Sequence, residues 1–196
     1  NANTFGASAH KLAGSAYTLE QVITAGIENC KRACAPYGAL TALDVGPLGE
    51  LLEPSGTLAF EDAVAEYARI VKAGEAAGAD LIFFETYTDL YELKAALLAA
   101  KENTHLPILA SMSFEAGGRT FTGCTVESFA ATARGLGADA VGINCSLGPK
   151  EIFPMAKRLA EAVPGNFPVF VKPNAGLPRA DGSGYDITPQ LFALQM

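Results

Sequence analysis

The sequence has few cysteines, little positive charge and no long apolar run, and each shortage excludes a class of protein. Its longest strongly apolar stretch, residues 81–84, has the length of a strand and not of a membrane span. The first residues have neither the basic nor the apolar region of a secretory signal peptide. Fourteen basic residues stand against 21 acidic ones, for a net charge of -7, which argues against a grip on nucleic acid or anionic lipid. We therefore expect no nucleic-acid partner and no membrane partner.

The cysteines are too sparse for a secreted disulfide scaffold. There are four in 196 residues, Cys30, Cys34, Cys124 and Cys145, while hydrophobic residues make up 49% of the chain and can form a sizeable core. Free thiols in a reducing compartment, the cytoplasm, are the better interpretation. The chain also lacks an initiator methionine, so we expect it to start inside a larger protein.

What the sequence does contain is a repeated alternation of short β-rich runs with longer Ala-rich helical runs. A first strand is predicted to end near Phe5. Further strands are predicted at Ala39–Val45, Asp80–Phe84, Pro107–Ser113, Ala138–Ile143 and Val169–Lys172. Helices are predicted at Leu19–Cys34, Leu58–Ala77, Leu90–Lys101, Val126–Leu136 and Lys150–Ala162, with another after an N-cap at Thr188.

Repeated strand–helix units with short connections predict parallel strands joined by right-handed crossovers. Two helices end in Gly-Ala-Asp, where glycine stops the helix and the next strand starts at once. We count about six or seven strands, fewer than the eight of a closed barrel of about 250 residues. An open doubly wound sheet is the rival, but no Gly-x-Gly-x-x-Gly fingerprint follows a strand. The sequence therefore favours an incomplete parallel (β/α)8 TIM-type barrel.

Polar and reactive residues collect at the carboxyl ends of the predicted strands. In such a barrel this end carries the functional site. The segments concerned are 3–7, 44–50, 85–86, 113–115, 144–146 and 172–176. The starts of the strands carry mainly Gly, Ala, Asp and Pro. We therefore predict a site at the mouth of the barrel.

Cys145, Glu85 and Asp44 are the main candidates in these segments. Cys145 follows an apolar strand, where it could be a nucleophile, a metal ligand or simply a buried small apolar side chain. Glu85 also ends an apolar strand and could receive a substrate ammonium group or be an ordinary solvated carboxylate. Asp44 could cap its loop. Asn174 lies in Pro-Asn-Ala-Gly, which is also ordinary turn chemistry.

Five blocks, in order, resemble a known family. They are Asn-Thr-Phe-Gly-Ala (3–7), Asp-Val-Gly-Pro-Leu-Gly-Glu (44–50), Phe-Glu-Thr (84–86), Gly-Ile-Asn-Cys-Ser-Leu-Gly-Pro (142–149) and Pro-Asn-Ala-Gly (173–176). The sequence resembles, along its whole length, the homocysteine-binding domain of cobalamin-dependent methionine synthases. The resemblance implies that residues 1–196 are a single homocysteine-binding barrel domain truncated at both ends, without its first and last strands.

The resemblance also implies a site. Its zinc ion would be held by three cysteine thiolates, of which Cys145 is one and two more are expected beyond Met196. Glu85 and Asn174 would contact the amino-acid end of homocysteine. The implied pocket is completed by Phe5, Gly6, Asp44 and Ser113. No catalytic group is implied beyond the zinc-activated thiol of the substrate.

The implied activity is zinc-dependent methyl transfer from methylcobalamin to homocysteine, giving methionine. Cobalamin and folate would bind other domains of the same larger protein, and the piece by itself would be inactive. Three alternatives remain open. One is a relative that uses betaine or S-methylmethionine as donor. Another is an unrelated barrel lyase or aldolase with Lys172 as its Schiff-base lysine, and the third is a non-catalytic binding module.

Overall fold

Parallel strands alternate with helices along the chain. A computed structural model describes residues 1–176, 178–185 and 187–196. The strands are β1 (Ala42–Val45), β2 (Leu81–Tyr87), β3 (Ile108–Met112), β4 (Ala140–Asn144) and β5 (Val169–Lys172). The helices are α1 (Leu19–Cys34), α2 (Phe60–Ala76), α3 (Leu90–Asn103), α4 (Val126–Gly135), α5 (Pro149–Glu161) and α6 (Pro189–Gln195), with a 3-10 turn at Ala35–Tyr37.

The five strands form one sheet whose order in space is their order in sequence, and every neighbouring pair is parallel. A helix lies in each connection from one strand to the next. This is the arrangement of a (β/α)8 TIM-type barrel, left open between β1 and β5 in the described part of the chain, and it confirms the predicted fold class. Within the described ranges, no helix combines the length and apolar character that a membrane span needs.

The strand expected near Phe5 is not formed, and the residues that the structure describes contain five strands instead of the predicted six or seven. Ala2 donates one hydrogen bond to the carbonyl of Ala42, at 2.9 Å, and runs beside β1 at that point. Thr4 and Ala7 then donate to carbonyls two and three residues back, so the chain turns before a ladder can extend. The other strands were predicted correctly, with ends displaced by at most three residues.

The two Gly-Ala-Asp segments join each helix to its strand in the same way. Their glycines have φ of 85° and 86°, a backbone conformation that side chains disfavour. Asp80 donates its N–H to the carbonyl of Thr41 (2.9 Å), and its carboxylate accepts from Thr41 N at 2.7 Å. Asp139 pairs with Ile108 in the same way, at 2.8 Å in both directions. Each aspartate thus fixes the start of its strand against the preceding one.

Along each strand, successive side chains point alternately toward the helices and toward the concave inner side of the curved sheet. Phe84 packs edge-on against Tyr67 of α2, with ring centroids 6.2 Å apart. Its neighbour Phe83 points the other way and meets Phe170 of β5 at 5.4 Å. Since β3 and β4 lie between β2 and β5, this contact requires a strongly curved sheet. Gly142 leaves the space, because a Cβ there would lie 2.3 Å from the Phe170 ring.

Candidate functional site

Three charged side chains from three strands meet at the carboxyl ends, where the sequence predicted the site. Lys172 Nζ lies 2.5 Å from Glu85 Oε2 and 4.6 Å from the centroid of the Phe83 ring. The Glu85 side chain is 13% exposed and that of Lys172 is 46% exposed, so the pair opens to solvent on the lysine side. Asp44 is buried beside Glu85. We call Asp44, Glu85 and Lys172 the charged cluster.

Asp44 is the electrostatically unusual member of the charged cluster. Burial raises its pKa to about 7, helped by the negative charge of the neighbouring Glu85 carboxylate. A hydrogen bond from Asn1 Nδ2 to Asp44 Oδ2 (3.2 Å) and the positive charge of Lys172 oppose the shift. Asp44 Oδ1 is buried and has no hydrogen-bond partner among the described residues. It is therefore an acceptor available to a donor that enters the site.

Asn144, the last residue of β4, ties three strand ends together. Its Oδ1 accepts from Thr86 N (3.1 Å) and Ser111 Oγ (2.8 Å), and its Nδ2 donates to Thr86 Oγ1 at 2.7 Å. Its carbonyl accepts from Ser113 Oγ at 2.8 Å. These bonds hold Thr86 at φ 67°, which is rare for a β-branched residue. The sequence reasoning gave Asn144 no role, although a polar residue that ends an apolar strand was the signal used for Glu85.

Cys145 follows directly, half-buried, in a strained loop. Cys145 and Ser146 have φ of 65° and 59°, two consecutive residues in the left-handed region that favours glycine. Cys145 N donates to the carbonyl of Lys172 at 3.0 Å, and Asn174 N donates to the carbonyl of Leu147 at 2.9 Å. The β4 and β5 loops are thus joined, and they place the Cys145 segment and the half-buried Asn174 beside the end of Lys172.

The described residues do not make up a complete metal site. In the ranges that the structure covers, no three or more His, Cys, Asp or Glu residues are grouped to hold an ion. Cys124 donates its thiol to the carbonyl of Thr125 at 3.2 Å, and burial raises the pKa of that thiol. The described residues therefore do not assemble a zinc-thiolate centre, and the metal role of Cys145 stays a prediction.

A buried carboxylate, which no sequence pattern singled out, holds the loop after β1. Glu92 is 5% exposed, and its Oε1 accepts from Leu48 N (2.7 Å) and from the hydroxyl of Tyr67 (2.9 Å). Burial raises the pKa of Glu92, while these hydrogen bonds lower it. The hydroxyl of Tyr87 donates to the carbonyl of Gly46 at 3.2 Å. An acidic residue in the first turn of a helix normally indicates only favourable interaction with the helix dipole.

The remaining predicted pocket residues lie on the same rim with different exposure. The carbonyl of Phe5 accepts from Gly46 N at 3.3 Å, and a Cβ on Gly46 would lie 2.4 Å from the Phe5 ring. Gly6 is exposed, with open space where a Cβ would stand. Ser113 is buried, and its hydroxyl is used by the Asn144 carbonyl. The structure thus brings Phe5 to the β1 loop and leaves Ser113 in a supporting position.

Comparison with known proteins supplies the family context of this site. Residues 1–196 match the family described as Homocysteine S-methyltransferase. The methionine synthase of Mycobacterium tuberculosis (strain ATCC 25618 / H37Rv) is 35% identical over 123 residues, which are 59% of this chain and 10% of the synthase. That of Mycobacterium leprae (strain TN) is 34% identical over 123 residues, with the same shares. The match therefore spans about a tenth of the length of these synthases.

Solved structures give the same fold. The metallated form of the homocysteine methyltransferase MmuM from Escherichia coli has a TM-score of 0.77 and 22% identity, over 98% of this chain and 70% of that one. Its apo form has a TM-score of 0.69 and 23% identity, over 89% of this chain and 65% of that one. At this identity the likeness establishes the architecture alone.

Proposed function

The chain belongs to the homocysteine S-methyltransferase family, and we propose that it forms the site at which an enzyme transfers a methyl group to the thiolate of homocysteine, giving methionine. The observation that carries the proposal is the position of the charged cluster directly beside Cys145. The carbonyl of Lys172 accepts from Cys145 N, so the charges and the thiol belong to one rigid strand-end arrangement. Homocysteine has the matching groups, a thiol at one end and a charged amino-acid group at the other.

The amino-acid end of homocysteine is proposed to bind at Asp44 and Glu85. An ammonium group supplies donors to the unpartnered Asp44 Oδ1 and to the carboxylate of Glu85. It would also relieve the repulsion between the two carboxyl groups that raises the pKa of Asp44. Asn174 is proposed as a further contact from the loop after β5, and Phe5, Gly6 and Ser113 are proposed as the other residues that line the pocket. The role of the enzyme here is to fix the position of the substrate before reaction.

The thiol end of homocysteine is proposed to lie beside Cys145, which would be one protein ligand of a zinc ion. Zinc, when bound, would keep a coordinated thiol deprotonated at neutral pH. A catalytic zinc site has three protein ligands and one open position, and the described residues supply a single thiolate at this place. We therefore expect residues 1–196 by themselves to show no turnover. The metallated form of MmuM, a protein of the same fold, supports a metal-dependent site.

The proposed methyl donor is methylcobalamin, bound with the folate that regenerates it on other domains of a larger protein. The support is the similarity to two methionine synthases. S-methylmethionine and betaine are the alternative donors.

The test is a transfer assay on the full-length protein that carries this chain. Homocysteine is incubated with methylcobalamin, S-methylmethionine or betaine in separate reactions, and methionine is measured by mass spectrometry. We expect methionine from methylcobalamin. Methionine from another donor alone would keep the family reaction and reject the cobalamin proposal, whereas methionine from none would reject the function.

A further inference from the structure

The proposed function assigns no role to the positive charge of Lys172. We propose that Lys172 determines specificity by binding the α-carboxylate of the substrate: the substrate ammonium replaces the lysine at Glu85, and the freed lysine pairs with the carboxylate. This inference rests on the proposed function and deepens it. It describes binding groups only, with no bond made or broken.

The position of Lys172 suits an exchange of partners. Its Nζ lies 2.5 Å from Glu85 Oε2, on the inward face where an ammonium group is proposed to bind, so the lysine and the substrate compete for one acceptor. The side chain is 46% exposed, so its ammonium group can leave Glu85 toward solvent. The nearby ring of Phe83, 4.6 Å from Nζ, keeps the cation at the rim when it leaves Glu85.

The charges around the site require a cation for the carboxylate. An α-amino acid carries its carboxylate on the carbon that bears the ammonium, so a substrate held at Glu85 brings its own negative charge close to Asp44 and Glu85. The Glu85 carboxylate repels it, and so does Asp44 when it is ionised. Lys172 forms an ion pair with Glu85 and acts on Asp44 through its positive charge, and an ammonium–carboxylate contact with the substrate would offset the repulsion.

The backbone of Lys172 relates the carboxylate end to the thiol end. Its carbonyl accepts from Cys145 N at 3.0 Å, so the distance between the lysine and the Cys145 loop is fixed by a strand-end hydrogen bond. A thiol compound that carries an ammonium but no carboxylate could reach Glu85 only by displacing Lys172 without compensation. Lys172 therefore favours amino-acid thiols over simple aminothiols.

The test is calorimetric titration of the full-length protein with two ligands, L-homocysteine and 3-aminopropane-1-thiol, which lacks only the carboxylate. Lys172→Met retains the apolar stem over Phe83 and removes the charge. We expect this variant to bind homocysteine about tenfold more weakly. The same variant should bind the aminothiol as well as or better than the wild type, because Glu85 has lost its competitor. Lys172→Arg should restore most of the preference for homocysteine.

The outcomes separate the two proposals. If Lys172→Met bound both ligands equally more weakly, the lysine would have only a structural role. If it bound both more tightly, the lysine would act only as a competitor for Glu85. Either result overturns the inference and leaves the proposed function standing. Unchanged homocysteine affinity in Lys172→Met also overturns it. A wild-type protein that binds no homocysteine rejects the proposed function, and the inference with it.

Discussion

The ammonium of Lys172 lies 2.5 Å from the carboxylate of Glu85, although two strands separate theirs in the sheet. Such a contact is possible only because the sheet curls enough to bring the inward faces of β2 and β5 together. The same curvature brings Phe83 against Phe170 one layer below. An apolar layer thus supports a charged one, and the charged layer lies at the end of the strands where parallel barrels carry their sites.

Removing the buried carboxylate of Glu92 should destabilise the protein and loosen the loop after β1. Glu92→Ala leaves Leu48 N and the Tyr67 hydroxyl without their acceptor, and we expect a loss of about 2–3 kcal/mol. Urea denaturation measures the change. Glu61→Ala removes an exposed acid from the first turn of α2 and is the matched control. It should lower the stability by only a few tenths of the loss expected for Glu92→Ala. Equal losses in the two variants would show that the buried network does not hold the loop.

Asp44→Asn should change the pH dependence of stability. The folded state holds a proton on Asp44 up to a pH of about 7, whereas the unfolded chain loses it near the ordinary value of 3.8. The free energy of unfolding should therefore fall as pH rises from about 4 to 7. The variant cannot ionise, so it should be more stable than the wild type at pH 8, by up to about 4 kcal/mol. This advantage should vanish toward pH 4.

Urea denaturation at a series of pH values measures this difference. Asp62→Asn, at an exposed site in the first turn of α2, should give no gain at pH 8. An Asp44→Asn variant that is less stable than the wild type at pH 8 would show that the carboxylate is stabilised in the fold, against the burial and repulsion described above.

Cys145→Ala in the full-length protein should abolish stoichiometric zinc binding and leave the fold intact. The reason is the position of the thiol at the end of β4, in a loop joined to β5, and the role that the family resemblance gives it. Elemental analysis gives zinc per chain, and circular dichroism checks the fold. Cys124→Ala is the control and should retain zinc, since that thiol bonds to its neighbouring backbone. Full zinc and full methyl transfer in Cys145→Ala would refute the assignment.

Much of the fold follows from local signals in the sequence. Helix α1 was predicted with its observed bounds, and the structure shows why it begins there: Thr18 and Gln21 form a capping box, each side chain accepting from the other's backbone N–H. The two Gly-Ala-Asp segments marked strand starts, because each glycine ends a helix and each aspartate bonds to the preceding strand region. Asp44, Glu85 and Cys145, which lie in or just after the last residues of β1, β2 and β4, were recognised as site candidates, because polar residues at the carboxyl ends of parallel strands share one edge.

What the sequence could not give depends on curvature and on contacts between distant segments. A strand was predicted near Phe5, but strand formation needs a continuous partner ladder, and two separate backbone hydrogen bonds, from Ala2 to Ala42 and from Gly46 to Phe5, do not make one. Lys172 was considered only as a Schiff-base lysine, because nothing local indicates that β5 meets β2 across the interior. Glu92 resembles an ordinary first-turn acid until the fold buries it.

The most direct test of the account is homocysteine binding by the full-length protein and its Glu85→Gln variant. Glu85→Gln keeps the shape of the side chain and removes the charge that faces the ammonium group, which should weaken binding by about 1.5–3 kcal/mol and leave the zinc content unchanged. Glu115→Gln, at an exposed residue in the loop after β3, is the control and should bind normally. Isothermal titration calorimetry with L-homocysteine, paired with elemental analysis for zinc, gives both quantities. The account predicts weaker binding with full zinc in Glu85→Gln; unchanged affinity, or zinc lost in parallel with homocysteine, would contradict it.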